Sequence, residues 1–246
     1  MGKYYPPDYY SIPSSIEQLA AVEHHELYKI EIVQRFAAGG RLLEIGPATG
    51  GFTRLAKQAG YEVEVIEMDA RCCEFLAEVV GVRAINSNDA KTALLTTDSY
   101  DIIALWHVIE HLPDPLETLQ AAAEKLLPGG ILILAAPNPE AFQFRVLKRY
   151  WTHVDAPRHV LLIPLQTLVK RVEELGLKVV MQTTTDAGTL GWNSFGWQES
   201  LGNFFTEQSA KSRMRRIGGA LAWYLSPIEQ SGLRGSTYTA VFQKAP

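Results

Sequence analysis

A doubly wound α/β fold with a mostly parallel sheet is predicted by three features of the sequence. Short apolar runs alternate with helical patterns between residues 41 and 136, the signature of βαβ units covered on both faces. The first run passes into a glycine-bearing turn, "GPATGG", that opens a helix. Near the end of the chain, the β-rich runs 178–184 and 236–243 have no simple crossover helix between them, which predicts an antiparallel edge.

The elements follow in order. Residues 15–38 read as one helix, with Ser14 or Ser15 as N-cap and Gly39–Gly40 as the stop. Strands are predicted at 41–45, 62–66, 82–85, 101–106 and 130–136, with helices at 51–58, 70–79 and 115–127 between them. A helix at 165–175 and the two late runs complete a seven-stranded sheet. Right-handed crossovers place ligand sites at the carboxyl ends of such strands. The whole chain, 1–246, reads as a single domain with an N-terminal arm and helix (1–38) and an insertion (185–235) before the last strand.

Composition narrows the function classes. The 246 residues, 47% hydrophobic, suffice for a sizeable core, and a net charge of −4 argues against broad nucleic-acid binding. Cys72 and Cys73 are adjacent and sit in a helical pattern, so they read as reduced, packed thiols. The N-terminus "MGKYYPPDYYSIPSS" lacks the apolar run of a signal peptide, and no membrane-spanning stretch is found. A cytoplasmic setting is expected.

A strand that ends in a glycine turn and opens a helix presents free N–H groups to a ligand. A dinucleotide fold wants three glycines, and Gly46, Ala48 and Gly51 match only if the middle one is forgiven. A phosphate-binding Walker loop is excluded, because no Gly-Lys-Ser/Thr follows. Glu67 ends the second apolar run and could take both hydroxyls of a ribose, which suits NAD and S-adenosylmethionine equally. Asp89, after the third strand, could accept from an adenine amino group.

In order along the chain, "LLEIGPATGGF", "VIEMDA", "NDA", "YDIIALWHVIEHLPDP" and "LLPGGILILAAPN" resemble the class I S-adenosylmethionine-dependent methyltransferases, whose sheet is Rossmann-like. The element Trp-x-x-x-Asp-x-Pro-Arg-His in "YWTHVDAPRHVLLIPLQTLVKRVEELGLKVV" is similar to a bacterial small-molecule branch of that superfamily, as is the tyrosine-rich leader "YYPPDYY". The resemblance covers most of the chain except roughly 190–235. It implies that Glu44 and the Gly46, Ala48 and Gly50 turn face the amino acid part of S-adenosylmethionine. By the same resemblance Glu67 takes the ribose, Met68 lies against the adenine, Asp89 meets the adenine amino group, and Ala90 offers an N–H beside it. A one-step change of frame would favour Asp69 as the ribose ligand.

Ala48 replaces the usual glycine, which is tolerable if φ stays negative and narrows the seat; Pro47 gives up one donor. This departure weakens a dinucleotide reading more than a methyltransferase reading, which has no pyrophosphate to seat.

If the methyl acceptor is a hydroxyl, a histidine is the usual base. His107 and His111 form one pair and His153 and His159 another. The expectation is His159 as base with Asp155 as its orienting partner, Trp151, Arg158 and Trp192 shaping the acceptor site, and His107 bordering the cofactor. The alternative is a structural clamp of Asp155, Arg158 and His159. His107, Glu110 and His111 have helical i, i+3, i+4 spacing. A similar box with Glu in first place binds magnesium in certain small-RNA 2′-O-methyltransferases; here Glu110 and His111 are read as structural, with no metal expected.

The insertion mixes aromatics with Lys211, Arg213, Arg215 and Arg216. It reads as a lid carrying Trp192 and Trp197 to the substrate, as a peripheral membrane contact over 190–225, or as a packed cap with a solvated basic face. The sequence therefore points to methyl transfer, most plainly to oxygen, on a small molecule such as a sugar, polyketide or lipid-linked acceptor. An NAD-dependent oxidoreductase and a non-catalytic S-adenosylmethionine-binding interaction module are the alternatives.

Overall fold

The structure is a computed structural model and describes residues 9–246; Tyr4 and Tyr5 of the expected arm lie outside the described residues. Seven strands form one sheet: β1 (Arg41–Ile45), β2 (Glu62–Glu67), β3 (Arg83–Asn86), β4 (Tyr100–Trp106), β5 (Leu126–Pro137), β6 (Leu177–Thr183) and β7 (Thr237–Lys244). Their order is β3-β2-β1-β4-β5-β7-β6. β7 runs antiparallel to both of its neighbours. The antiparallel strand thus lies one place in from the edge, and β6 is the edge strand. The chain steps outward from β1 to β3 and returns to β4 on the other side of β1, so a crevice opens at the carboxyl ends of β1 and β4.

The helices are α1 (Ile16–Val22), α2 (Leu27–Gln34), α3 (Gly51–Gln58), α4 (Ala70–Phe75), α5 (Ala90–Leu95), α6 (Pro115–Lys125), α7 (Phe142–Leu147), α8 (Leu165–Glu174), α9 (Ala187–Gly202) and α10 (Gln208–Glu229). β4 explains why the sheet is covered on both sides. Ile102, Ile103, Ala104 and Leu105 are fully buried, alternately joining the hydrophobic clusters on the two faces. Burying each large aliphatic side chain contributes roughly 1.5–3 kcal/mol.

The expected helix 15–38 is broken by a 3-10 segment, Glu23–Glu26. The break lies where Glu23 pairs with Arg54 and where a Cβ on Gly51 would come 3.1 Å from Glu26 Cγ. That contact with the start of α3 is tertiary, and no local pattern encodes it. The insertion, in which no crossover helix was legible, is a helical hairpin of α9 and α10. A Cβ on Gly218 would lie 2.7 Å from the backbone of α9, so only glycine permits this approach.

A buried polar network ties the hairpin to the segment after β5. Gln143 donates to the Asn193 carbonyl (2.7 Å) and to Glu229 (2.8 Å), and its oxygen accepts from the Trp151 indole (3.0 Å). Glu229, fully buried, also accepts from the Trp197 indole at 3.0 Å. Trp197 is therefore an internal strut rather than the substrate contact that the lid reading of the insertion gave it. Leaving one of these buried groups unpaired would cost about 1–3 kcal/mol.

Candidate active site

Three adjoining chambers open along the carboxyl ends of the central strands. The middle one, of about 440 Å³, is lined by Gly46, Ala48, Glu67, Met68, Ala90 and His107, among others. Its floor is the turn after β1. Gly46 has φ 71°, and a Cβ there would stand 2.5 Å from Val108 Cγ2, so a side chain would fill the seat.

Ala48 does not keep the negative φ expected of it. It sits at φ 50°, a left-handed conformation that costs an L-residue roughly 1–2 kcal/mol. In this geometry its N–H donates to Glu67 Oε2 at 3.0 Å, a charge-assisted bond worth about 1.5–3 kcal/mol. The Asp69 N–H donates to the other oxygen at 2.8 Å. Burial pushes the Glu67 carboxyl up, and these backbone donors oppose the shift. An ionised carboxylate has about four lone-pair sites, so two donors leave room for a pair of ribose hydroxyls.

Two expected cofactor residues stand outside this chamber. Asp89 caps α5, accepting from Thr92 N at 3.0 Å and from Thr92 Oγ1 at 2.6 Å, while its neighbours Ser87, Asn88 and Ala90 line the wall. A residue with Asp-x-x-Thr spacing at a helix start is an N-cap first. Gly50, at φ 80°, turns the chain into α3 and faces Leu76. Asp69 is likewise an N-cap, bonded to Arg71 N at 2.9 Å.

Glu44 lines a smaller chamber, about 220 Å³, that shares Gly46, Ala48 and Trp106 with the first. It is 3% exposed and accepts a short hydrogen bond from Thr53 Oγ1. Burial raises its pKa to about 7, against the pull of Lys29 and Thr53. Lys29, on α2, pairs with Glu26, and its ammonium stands 5.3 Å from the Trp106 ring centroid. The sequence reading missed Lys29. Its signal was weak, a single basic residue in an N-terminal helix about twenty positions before the glycine turn.

The third chamber, about 560 Å³, lies on the far side of His107. Tyr9, His107, His111 and Trp192 border both it and the middle chamber. Trp192 is the divider, with ring centroids 5.1 Å from His107 and 5.4 Å from His153. The expected helical box around His107 is not a helix. His107 has φ 58° and donates its N–H to the Ala135 carbonyl at 2.9 Å, and only Ile109–His111 form a 3-10 turn. Burial first, then nearby Lys29, holds its imidazole well below the usual range.

His159 lines this chamber, but Asp155 is not its orienting partner. Asp155 holds Arg158 in a two-pronged ion pair at 2.8 Å and 2.8 Å, and Arg158 stacks over Tyr9 at 5.2 Å. A planar fork matches a carboxylate better than an imidazole does. His159 Nδ1 instead meets the His153 carbonyl at 2.7 Å, and His111 Nδ1 meets the Arg158 carbonyl at 3.1 Å. A carbonyl accepts only, so each Nδ1 carries the proton, and on His159 this leaves Nε2 as the basic nitrogen. Burial lowers both imidazoles, His111 to about 4. Trp151 forms part of the wall but is 1% exposed and held by Gln143, so its main contacts are internal.

A sheet with one inserted antiparallel strand, a glycine seat and an acid at the tip of β2 define a Rossmann-like S-adenosylmethionine-binding domain. Residues 22–182 match the family described as "Methyltransferase domain". That is more than half of the chain, which therefore belongs to this family of S-adenosylmethionine-dependent methyltransferases, and the oxidoreductase alternative is set aside.

A ubiquinone biosynthesis O-methyltransferase from Saccharophagus degradans is 30% identical over 114 residues, 44% of this chain and 48% of that protein. One from Cereibacter sphaeroides is 32% identical over 121 residues, 46% of this chain and 48% of that protein. The chain spans about half the length of the curated relatives it matches. Among solved structures, an S-adenosylmethionine-dependent methyltransferase from Archaeoglobus fulgidus aligns with a TM-score of 0.58 at 18% identity, covering 89% of this chain and 94% of that one. The cyclase SpnF aligns at 0.59 and 16% identity, covering 90% and 80%. At these identities the likeness concerns the fold alone.

Proposed function

We propose that this protein transfers a methyl group from S-adenosylmethionine to a hydroxyl oxygen of a small molecule seated in the 560 Å³ chamber. The observation that carries this reading is the junction of two chambers at His107, His111 and Trp192, with the free Nε2 of His159 on the acceptor side. The O-methyltransferase relatives support oxygen as the acceptor atom.

The cofactor, when bound, supplies an electrophilic methyl group on a sulfonium. The chain holds its two ends. Glu67 would take the ribose hydroxyls, Met68 and Ala90 would flank the base, Glu44 would face the ammonium of the amino acid end, and Lys29 its carboxylate. Trp192 and Tyr9 close the space between the chambers and exclude water, which raises the proportion of acceptor in attack geometry. Transfer would form the oxygen–carbon bond as the sulfur–methyl bond breaks and S-adenosylhomocysteine leaves, and the hydroxyl proton would pass to His159 Nε2, which the His153 carbonyl keeps in the correct tautomer. Arg158 and Trp151 shape the chamber around the acceptor.

Calorimetry with S-adenosylhomocysteine, followed by a screen of hydroxyl-bearing acceptors with labelled methyl groups, tests the reading. Cofactor binding with O-methylated product is expected. Binding without transfer to any acceptor would favour the non-catalytic interaction module.

The partner expectation rests on α10. Trp223 (82% exposed) and Tyr224 (72%) project with Ile217 and Ile228 from a helix that also exposes Arg213 and Arg216. We propose that this face rests on an anionic lipid surface, as suits a lipid-linked acceptor. Among the described residues, no helix is long and apolar enough to cross a membrane. Sedimentation with phosphatidylglycerol vesicles should carry the chain down, and W223A/Y224A should remain in the supernatant; equal partition of the two would refute the contact.

A further inference from the structure

We propose that the methyl acceptor carries an acidic group, a carboxylate or a phosphate, and that Arg149 is the specificity residue that holds it in the acceptor chamber. The inference rests on the acceptor site proposed above. Four charged residues line that chamber: Glu110, Arg149, Asp155 and Arg158. Asp155 and Arg158 neutralise one another through their two-pronged pair. Glu110 is 2% exposed, and burial raises its carboxyl to about 8, so most of it is protonated at neutral pH. Burial also holds His107, His111, His153 and His159 below the usual imidazole range, so these rings are mostly uncharged. Arg149 is left as the unbalanced charge of the described lining, and a cleft with a lone positive charge concentrates anions.

The chain is bent to put Arg149 there. Lys148, just past the end of α7, has φ 53° and ψ −127°, a conformation that costs a non-glycine residue about 1–3 kcal/mol and persists only where its surroundings over-determine it. The Trp151 N–H donates to the Lys148 carbonyl at 3.1 Å, and the Thr152 N–H donates to Ser200 Oγ at 2.9 Å, which ties the corner to α9. This corner leaves Arg149 and Tyr150 on the chamber wall. The guanidinium lies 4.8 Å from the Tyr150 ring centroid, and one nitrogen donates to the Tyr150 hydroxyl at 2.7 Å. Among the described residues no carboxylate pairs with it.

A guanidinium has five donors in a planar fork, which matches a carboxylate or phosphate with two parallel bonds. Tyr150 fixes one side of the fork and packs on Phe204, with ring centroids 4.7 Å apart. Trp192 and Phe195, in edge-to-face contact at 5.3 Å, add apolar wall to the same chamber. The acceptor that fits has an apolar body, an anionic group for Arg149 and a hydroxyl for His159. His159 keeps its role as base, because Arg149 acts on binding and not on the proton.

The test is a matched pair of dyes, titrated by fluorescence into the full chain saturated with S-adenosylhomocysteine. The dyes are 8-anilinonaphthalene-1-sulfonate and N-phenyl-1-naphthylamine, which has the same rings without the sulfonate. Wild type should bind the sulfonate about 10-fold more tightly than the neutral dye. R149M should abolish that preference and leave the neutral dye unchanged, and R149K should restore part of it. W223A/Y224A, which removes the exposed aromatic pair of α10, should keep the preference. If folded R149M retains the preference, if W223A/Y224A loses it, or if wild type takes neither dye, the proposal is refuted. Sedimentation with phosphatidylglycerol vesicles separates the two sources of an anion: R149M should behave as wild type, and a loss of sedimentation would assign Arg149 to lipid instead. S-adenosylhomocysteine affinity, measured by calorimetry on the same samples, reports folding and the cofactor reading independently. In the labelled-methyl screen, R149M should raise KM for acidic acceptors and spare their neutral amides, with kcat held. An equal loss for both would make Arg149 a structural prop, whereas a screen without product would overturn the transfer reading and leave the dye preference standing.

Discussion

The two halves of the site differ in how their polar groups are satisfied. On the cofactor side, from β1 to α5, Glu67, Asp69, Asp89 and Glu44 all accept hydrogen bonds from neighbouring segments. On the acceptor side, Glu110 Oε2 and His153 Nε2 are buried with no partner among the described residues, and the chamber is assembled from the end of β4, the 151–159 loop, α9 and Tyr9. In the first half these four carboxylates are bonded before a ligand arrives, although the Trp106 indole nitrogen and Glu23 Oε2 are buried without a partner among the described residues. The second keeps bonding capacity in reserve, which is how a site acquires selectivity for its own ligand.

Substitutions can break this contrast. The largest effect is expected for His159→Ala, which should lower kcat by about 10²–10⁴ while S-adenosylhomocysteine affinity measured by calorimetry holds. A fall in affinity of the same size would show that the two halves are not separate. On the cofactor side, Glu67→Gln replaces an acceptor oxygen by a donor and should weaken S-adenosylhomocysteine by roughly 10–100-fold. Unchanged affinity would move the ribose contact elsewhere.

Glu44 sharpens the comparison through pH. Its folded pKa is raised to about 7 from 4.5, so the folded chain holds a proton that the unfolded chain has released between those values. Its contribution to stability is therefore lost as pH rises from about 4.5 to 7. Thermal melts should show Glu44→Gln gaining on wild type across that window by an amount on the order of 2–3 kcal/mol. A constant difference would mean that Glu44 is ionised throughout.

Smaller effects test the turn and cap residues. Asp89→Ala should cost about 1 kcal/mol as a lost cap yet leave S-adenosylhomocysteine affinity within a few-fold; a large loss of affinity would restore its adenine role. Ala48→Gly relieves a left-handed alanine at the expense of unfolded-chain entropy, and should change stability by less than about 1 kcal/mol. Chemical denaturation reads both.

The elements that build the middle chamber were legible in the sequence almost entirely. Strand alternation, the glycine turn and Glu67 at the tip of β2 are local patterns, and local patterns survive folding because they arise from backbone geometry and burial period. Asp89 and Gly50 were placed on the right segments, but the signal for a ligand and the signal for a cap or a left-handed turn are the same residue types. The acceptor half was legible as a list of residues and not as an arrangement. His159 was named, but its partner is the His153 carbonyl, a backbone atom that no motif displays. The i, i+4 spacing of His107 and His111 suggested one helical face, whereas the left-handed His107 turns that spacing into a corner. The α9–α10 hairpin stayed hidden because Glu229, Gln143 and Trp197 satisfy one another across long sequence separations.

By itself, then, the sequence determined the sheet, the glycine seat and the acid at the end of β2, since each depends on neighbours a few positions away. The tertiary structure alone decided that Lys29 joins Glu44, that Trp192 divides two chambers, and that Glu110, His111 and His159 converge. Those contacts join segments distant in the sequence, and only the folding of the sheet and its insertion brings them together.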